Sequence, residues 1–239
     1  MAEPFLSIVI PAYNEARRLR DTMERVCHFK GLKDYSTELI VVDDGSRDET
    51  VAIVGEFPGV RLVRNDRNHG KGFTVRHGVL EARGQFVLFT DADLSAPIEE
   101  IEKLLSALQA SGADAAIGSR ALQRELIGIR QPWFRDMGGR FFNLLVKVFT
   151  GLRLHDTQCG FKLFRRNSTR RAFELQRVEG FGFDPELLFL IKKEGGKVVE
   201  VPVRWNNNPA TKVRFLRDST RMVMDLMAIR WRSFMGKYQ

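Results

Sequence analysis

At 239 residues with 44% hydrophobic content the chain can fill a sizeable core, which excludes a disordered or low-complexity protein. A formal net charge of +8 suggests nucleic acid or an anionic surface, yet it is unevenly spread: residues 1–119 carry 14 Lys and Arg against 19 Asp and Glu, and residues 120–239 carry 24 against 11. Two cysteines, Cys27 and Cys159, exclude a disulfide framework, and the N-terminus lacks the pattern of a signal peptide.

In chain order, β-branched runs at residues 6–10, 38–42, 60–63, 86–89 and 115–117 predict strands, and the stretches 17–29, 50–57, 71–82 and 98–111 between and after them predict amphipathic helices. This alternation predicts an α/β fold: a mainly parallel sheet with helices on both faces and ligands at the carboxyl ends of the strands. Farther on, residues 132–150 predict a helix with a wide apolar arc, including Trp133, Phe141, Phe142, Leu144 and Val148. Residues 214–234 predict another, with Arg214, Arg217, Arg221 and Arg232 on one stripe opposite Phe215, Met222, Val223, Leu226 and Met227. No linker or repeat divides the chain. It reads as one domain over 1–239, with a ligand-binding half to residue 119 and a basic half from residue 120.

The polar residues gather at the predicted strand ends. After the first strand stands Pro11-Ala-Tyr-Asn-Glu15, after the second Asp43-Asp-Gly-Ser46, after the third Asn68-His-Gly-Lys-Gly72, and after the fourth Asp91-Ala-Asp93. One such cluster alone is ordinary turn or cap chemistry; four in succession at the ligand edge point to a site. Asp91 and Asp93 suit a hard divalent cation shared with substrate phosphates. Asp43 and Asp44 are placed to accept from a ribose or base, Lys71 to offer positive charge, and Gly70 and Gly72 to allow close backbone approach.

Two common nucleotide-binding patterns are missing. The first turn contains no G-x-G-x-x-G fingerprint, and no G-x-x-x-x-G-K-[ST] cradle occurs. No G-x-S-x-G elbow supports a serine nucleophile, and neither cysteine has an evident His partner.

The segments Ile10-Pro-Ala-Tyr-Asn-Glu15, Val42-Asp-Asp-Gly-Ser46, Asn68-His-Gly-Lys-Gly72 and Thr90-Asp-Ala-Asp-Leu94 resemble, in order, the motifs of glycosyltransferase family 2, whose fold is called GT-A. Gly118-Ser-Arg120, Asp156-Thr-Gln-Cys-Gly-Phe-Lys-Leu-Phe164, Phe183-Asp-Pro-Glu-Leu-Leu188 and Thr211-Lys-Val213 narrow the resemblance to the polyprenyl-phosphate glycosyltransferases, most closely the dolichyl-phosphate β-glucosyltransferases. The similarity runs from about Leu6 to Tyr238.

The resemblance implies inverting transfer of a hexose, glucose favoured, from a nucleotide diphosphate sugar to polyprenyl phosphate, with Mg²⁺ or Mn²⁺ as cofactor. It places Pro11, Tyr13, Asn14, Glu15, Asp43, Asp44, Lys71, Gly72, Asp91 and Ala92 at the nucleotide sugar, UDP-glucose favoured. Asp91 and Asp93 would hold the metal. Ser119, Arg120, Arg135 and Lys212 would meet the acceptor phosphate or the leaving diphosphate, and Asp156 and Gln158 the sugar. Position 95 is Ser, where mannosyl-type relatives carry a Gln metal ligand. Eukaryotic relatives carry an N-terminal membrane span and several bacterial ones C-terminal spans, whereas no run here approaches the roughly 18–20 apolar residues a span needs.

A phosphate acceptor is already largely anionic at pH 7, its second pKa lying near 6, so no general base is required. Asp184 reads either as a base or as the N-cap of a helix with Pro at its first turn. The two amphipathic helices suggest interfacial segments, and hence peripheral attachment to an anionic membrane surface on its cytoplasmic face. Alternative readings are another donor such as GDP-mannose, or a soluble sugar acceptor, which would need a base. A basic nucleic-acid binder is disfavoured by the acidic strand ends and the lack of a nucleic-acid motif.

Overall fold

The computed structural model describes residues 3–129, 131–208 and 215–239. Among these, seven strands form one sheet: β1 (Leu6–Ala12), β2 (Thr37–Asp43), β3 (Val60–Arg64), β4 (Phe86–Thr90), β5 (Ala115–Ser119), β6 (Phe161–Arg165) and β7 (Val198–Pro202). Their order is β3-β2-β1-β4-β6-β5-β7, with β6 antiparallel to both its neighbours and every other pair parallel. The sheet is therefore mainly parallel, as expected. The five anticipated strands start within one residue of expectation and run one or two residues farther.

Side-chain alternation assigns the two faces of the sheet. Leu6, Ile8 and Ile10 of β1 point into one apolar layer, with Leu19, Met23 and Val26 of α1 (Ala16–Gly31) and Leu104 and Leu108 of α4 (Ile101–Ser111). α2 (Thr50–Gly55) adds Ile53 and Val54 there. Val9 of β1, Ile40 of β2 and Phe89 of β4 point the other way. They meet Val75 and Val79 of α3 (Lys71–Glu81), Phe173 of α6 (Arg166–Leu175) and Leu187, Leu188 and Ile191 of α7 (Phe183–Lys193). A single 3₁₀ turn, Ile98–Glu100, precedes α4, so the helix expected over 98–111 is split there.

α5 (Trp133–Thr150) and α8 (Phe215–Phe234) pack against each other outside this second layer. Each buries one stripe and exposes another. Phe142 and Val146 of α5 and Leu226 and Ile229 of α8 join the core, whereas Trp133, Met137, Phe141, Leu144 and Val148 of α5 lie exposed. On α8 Met224, Met227, Trp231 and Phe234 are exposed. The expected arcs are thereby corrected. Phe142, and on α8 Met222, Val223 and Leu226, serve packing, because each helix must cover the second layer before it can present anything outward. Among the described residues no helix is long and apolar enough to cross a membrane.

Candidate active site

β1 and β4 are neighbours, but the chain leaves β1 toward β2 and passes from β4 to the opposite side of the sheet, so a crevice opens at their carboxyl ends. A cleft of about 630 Å³ occupies it. Of the residues expected at the nucleotide sugar, Pro11, Tyr13, Glu15, Asp44, Lys71, Asp91 and Ala92 line the cleft, together with Asp93. Arg18, Asn68, Thr74, Phe181, Arg217, Asp218 and Arg221 also line it.

The floor of the cleft is an alternation of charges. Lys71 Nζ lies 2.7 Å from Asp91 Oδ1. Burial draws the Lys71 ammonium down, but the carboxylates of Asp91, Asp184 and Asp93 outweigh it and the group titrates above the ordinary lysine value. Arg18 spans Glu15, with Nη2 2.9 Å from Oε1, and Asp93, with Nη1 3.5 Å from Oδ2. Asp93 Oδ1 accepts the Ser95 N–H at 3.0 Å, so the backbone at position 95 orients this carboxylate. Asp91 is fixed from behind: its N–H donates to the Gly160 carbonyl at 3.1 Å, and a methyl group at Gly160 would stand 1.9 Å from Asp91 Oδ2.

Other expected residues build the cleft from outside. Asp43 is fully buried and receives the Ser46 N–H at 3.1 Å. Asp44, although on the wall, accepts from Asn65 Nδ2 at 2.7 Å and from the His69 and Gly70 N–H groups at 3.0 and 2.9 Å, and so ties down the loop before α3. Asn14 has a positive φ of 51° and joins the β1 and β2 ends: its N–H donates to Ser46 Oγ, and its Oδ1 accepts the Arg47 N–H. The space beside Gly72 is filled by the Val178 carbonyl and Phe183 Cβ, so the close approach it permits is of the chain to itself.

Beside the cleft lies a second cavity of about 310 Å³, lined by Arg120, Arg124, Arg135, Arg140, His155, Asp156, Thr157, Gln158, Trp133 and Trp205 among others. Arg120 grips Asp156 bidentately, Nε to Oδ2 at 2.7 Å and Nη2 to Oδ1 at 2.8 Å, and stacks over Trp205. Burial pushes the Asp156 carboxyl up, but the Arg120 guanidinium outweighs this and holds it at about 2. Arg120 itself titrates above the ordinary arginine value, since Asp156 and, more weakly, Asp91 overcome its burial. Asp91 thus acts on cations of both cavities. Thr157 Oγ1 and Gln158 Nε2 have no protein hydrogen-bond partner among the described residues.

Two expectations differ here, and a third cannot be placed. Ser119 is fully buried at the end of β5, where its side chain is closed off from the basic cavity. Asp184 is not a helix cap: α7 begins at Phe183 with Gly182 before it, and the Asp184 carboxylate lies in the core 2.5 Å from Lys162 Nζ. Lys212 lies outside the described residues, as do Thr211, Val213 and Arg214.

The donor set suits the metal expected at Asp91 and Asp93. Two carboxylates at the mouth of an open cleft are what Mg²⁺ takes from a protein when substrate phosphates complete its shell. Phe181, Arg217 and Arg221 could not be found from sequence because each comes from a helix or loop remote in sequence from the expected strand ends, and Arg18 because it stands on the first turn of α1, past the Pro11–Glu15 segment. Lys162 escaped because a lysine inside an apolar strand reads as outward-facing until its partner Asp184 is placed.

A family model for glycosyl transferase family 2 matches residues 7–173. A dolichyl-phosphate beta-glucosyltransferase of Saccharomyces cerevisiae is 35% identical over 259 residues, covering 99% of this chain and 77% of the yeast protein. The Homo sapiens protein of the same name is 34% identical, covering 98% and 77%. Among solved structures, mannosyl-3-phosphoglycerate synthase from Rubrobacter xylanophilus superposes with a TM-score of 0.72 at 19% identity, covering 96% of this chain and 74% of that one. Glucosyl-3-phosphoglycerate synthase from Mycobacterium tuberculosis, in complex with Mn²⁺, UDP-glucose and glycerol 3-phosphate, superposes with a TM-score of 0.66 at 20% identity, covering 95% and 80%. The fold is therefore GT-A, and the chain is a glycosyltransferase belonging to glycosyl transferase family 2.

Proposed function

We propose that the protein transfers glucose, with inversion, from UDP-glucose to dolichyl phosphate or a related polyprenyl phosphate at a membrane surface. The observation that carries this reading is the presence of two cavities: an acidic-floored cleft at the strand ends, holding Asp91 and Asp93, and a second cavity lined by four arginines. The names of the curated relatives support glucose and dolichyl phosphate. The Mn²⁺ and UDP-glucose held by the mycobacterial neighbour support the donor and the metal.

In this reading the nucleotide occupies the cleft of Pro11, Tyr13 and Glu15, and its diphosphate lies toward Asp91, Asp93 and Lys71. Asp91 and Asp93 would hold a divalent cation, which when bound neutralises charge on the departing diphosphate. The acceptor phosphate enters the arginine cavity, where Asp156 fixes Arg120 so that its planar fork faces a set position. A phosphate oxygen forms the new bond to the anomeric carbon as the bond to the nucleoside diphosphate breaks. The acceptor oxygen is already anionic, so no side chain has to take its proton. Asp184, paired with Lys162 in the core, is then free of any base role. Asp156 and Gln158 would face the sugar from the arginine cavity, whose wall they share with Thr157. Electrostatic positioning of this kind is the main source of rate in phosphate-directed transfer.

The exposed apolar stripes of α5 and α8 suit a lipid surface that would carry the polyprenyl chain, and Trp133 of α5 stands on both the stripe and the arginine cavity. The deciding assay supplies radiolabelled nucleotide sugars with short-chain polyprenyl phosphate in detergent. UDP-glucose is the expected donor and polyprenyl phosphate the expected acceptor. Equal transfer to the dephosphorylated polyprenol, or transfer only to a soluble sugar, overturns the reading.

A further inference from the structure

α8 has a part in the donor cleft that its sequence does not advertise. At 100° per residue Arg217, Arg221, Met224 and Trp231 fall on one stripe about 80° wide. At the N-terminal end of this stripe Arg217 and Arg221 line the donor cleft; at the C-terminal end Trp231 is 60% exposed, with Phe234 beside it at 82%. The opposite side of the helix is anchored by Leu226 and Ile229 in the core. Its seat is tight: a methyl group at Gly182, just before α7, would stand 2.5 Å from Asp225 Oδ2. Phe181, adjoining this seat, is itself part of the cleft wall.

The cations of the cleft divide into two kinds. Arg18 and Lys71 are committed to Glu15, Asp93 and Asp91. Arg217 and Arg221 form no salt bridge among the described residues, and although Asp218 stands between them in sequence, the contribution of α8 to the cleft is net positive. A cleft lined by Glu15, Asp44, Asp91 and Asp93 needs uncommitted positive charge to accept a diphosphate. α8 supplies it.

We propose that Arg217 and Arg221 bind the diphosphate of the sugar nucleotide, and that α8 thereby links donor binding to the seating of its apolar end on lipid. This rests on the donor reading given above. A nucleotide and a lipid surface that both engage the seated helix favour one another, and such linkage is reciprocal.

The test measures UDP and GDP binding by calorimetry, with magnesium present, with and without phosphatidylcholine–phosphatidylglycerol vesicles. Without vesicles, Arg217→Ala/Arg221→Ala is expected to weaken nucleotide binding by about tenfold or more, as loss of charge-assisted contacts does. Arg230→Ala, off the stripe, is expected to bind like the wild type. Vesicles are expected to tighten wild-type nucleotide binding by roughly fivefold, an effect lost in Trp231→Ser/Phe234→Ser. Because all four side chains lie at the surface, thermal melting of both double variants is expected to match the wild type. Wild-type protein with no affinity for either nucleotide overturns the donor reading itself. Nucleotide binding that is equal in the Arg217→Ala/Arg221→Ala variant, or a vesicle effect that is absent or survives Trp231→Ser/Phe234→Ser, overturns the proposal and leaves the donor reading standing.

Discussion

Lys162 Nζ and Asp184 Oδ1 lie 2.5 Å apart in the protein interior, with Lys162 at 0% and Asp184 at 4% exposure. The lysine also donates to the Cys159 carbonyl, and Phe89 lies under its ammonium. The pair joins β6 to α7 directly behind Lys71, and the Asp184 carboxylate is among the charges that raise Lys71. It therefore belongs to the foundation of the donor cleft.

Removing one partner strands the other as a buried charge. Asp184→Asn and Lys162→Met are each expected to cost about 3–5 kcal/mol in urea unfolding, and Lys162→Met/Asp184→Leu to recover most of that. A cap or surface role predicts the opposite, because Asn is as good a cap as Asp. An Asp184→Asn loss below about 1 kcal/mol in the same measurement would show that the pair does not hold β6 to α7.

The legibility of this molecule divides along that pair. The alternation of residues 6–119 made β1 to β5 legible because each is a short, largely apolar run with turn residues after it. β6 is hard to read because Lys162 interrupts its apolar pattern, and its counter-charge, Asp184, lies 22 residues away. Asp91 and Asp93 could be found because they follow a strand end. Gly160 could not be assigned a role, because its reason is the Asp91 carboxylate packed against it from a different strand. On α5 and α8 the sequence displayed amphipathicity without saying which stripe the core would take.

Asp156 and Arg120 make a prediction in pH. The Asp156 carboxyl is held at about 2 in the folded protein against an ordinary 3.8. A depressed folded value means that its stabilisation is fully present above about pH 4 and is lost as the pH falls through about 2; it is worth roughly 2 kcal/mol. The stability difference between the wild type and Asp156→Asn, from urea titrations between pH 5 and pH 2, is therefore expected to shrink by that amount on acidification. A difference that stays constant over the range removes the pairing as its cause.

Gly160→Ala separates positioning from stability. The new methyl meets the flexible end of Asp91 rather than backbone, so the chain can yield by turning that carboxylate away. Stability is expected to change by less than about 1 kcal/mol, whereas kcat/KM for sugar transfer is expected to fall about 100-fold, because misplacing a charged group by an ångström has that effect. Full activity in Gly160→Ala would mean that the Asp91 orientation is not limiting.

Two adjacent residues of α5 distinguish lipid contact from packing. Phe141 is 63% exposed and Phe142 8%. Phe142→Ser is expected to cost about 3–5 kcal/mol of stability by emptying a core position. Phe141→Ser/Val148→Ser removes two exposed members of one stripe and is expected to leave stability within about 0.5 kcal/mol. The same double variant is expected to lose several-fold in co-sedimentation with anionic vesicles, where apolar burial and basic charge act together. Raising the salt is expected to release the wild type in part, since attraction of the basic half to the vesicle is screened beyond about 10 Å at 0.1 M while the apolar contribution is not. Sedimentation unaffected by both the salt and the double substitution would assign these exposed stripes to some surface other than lipid.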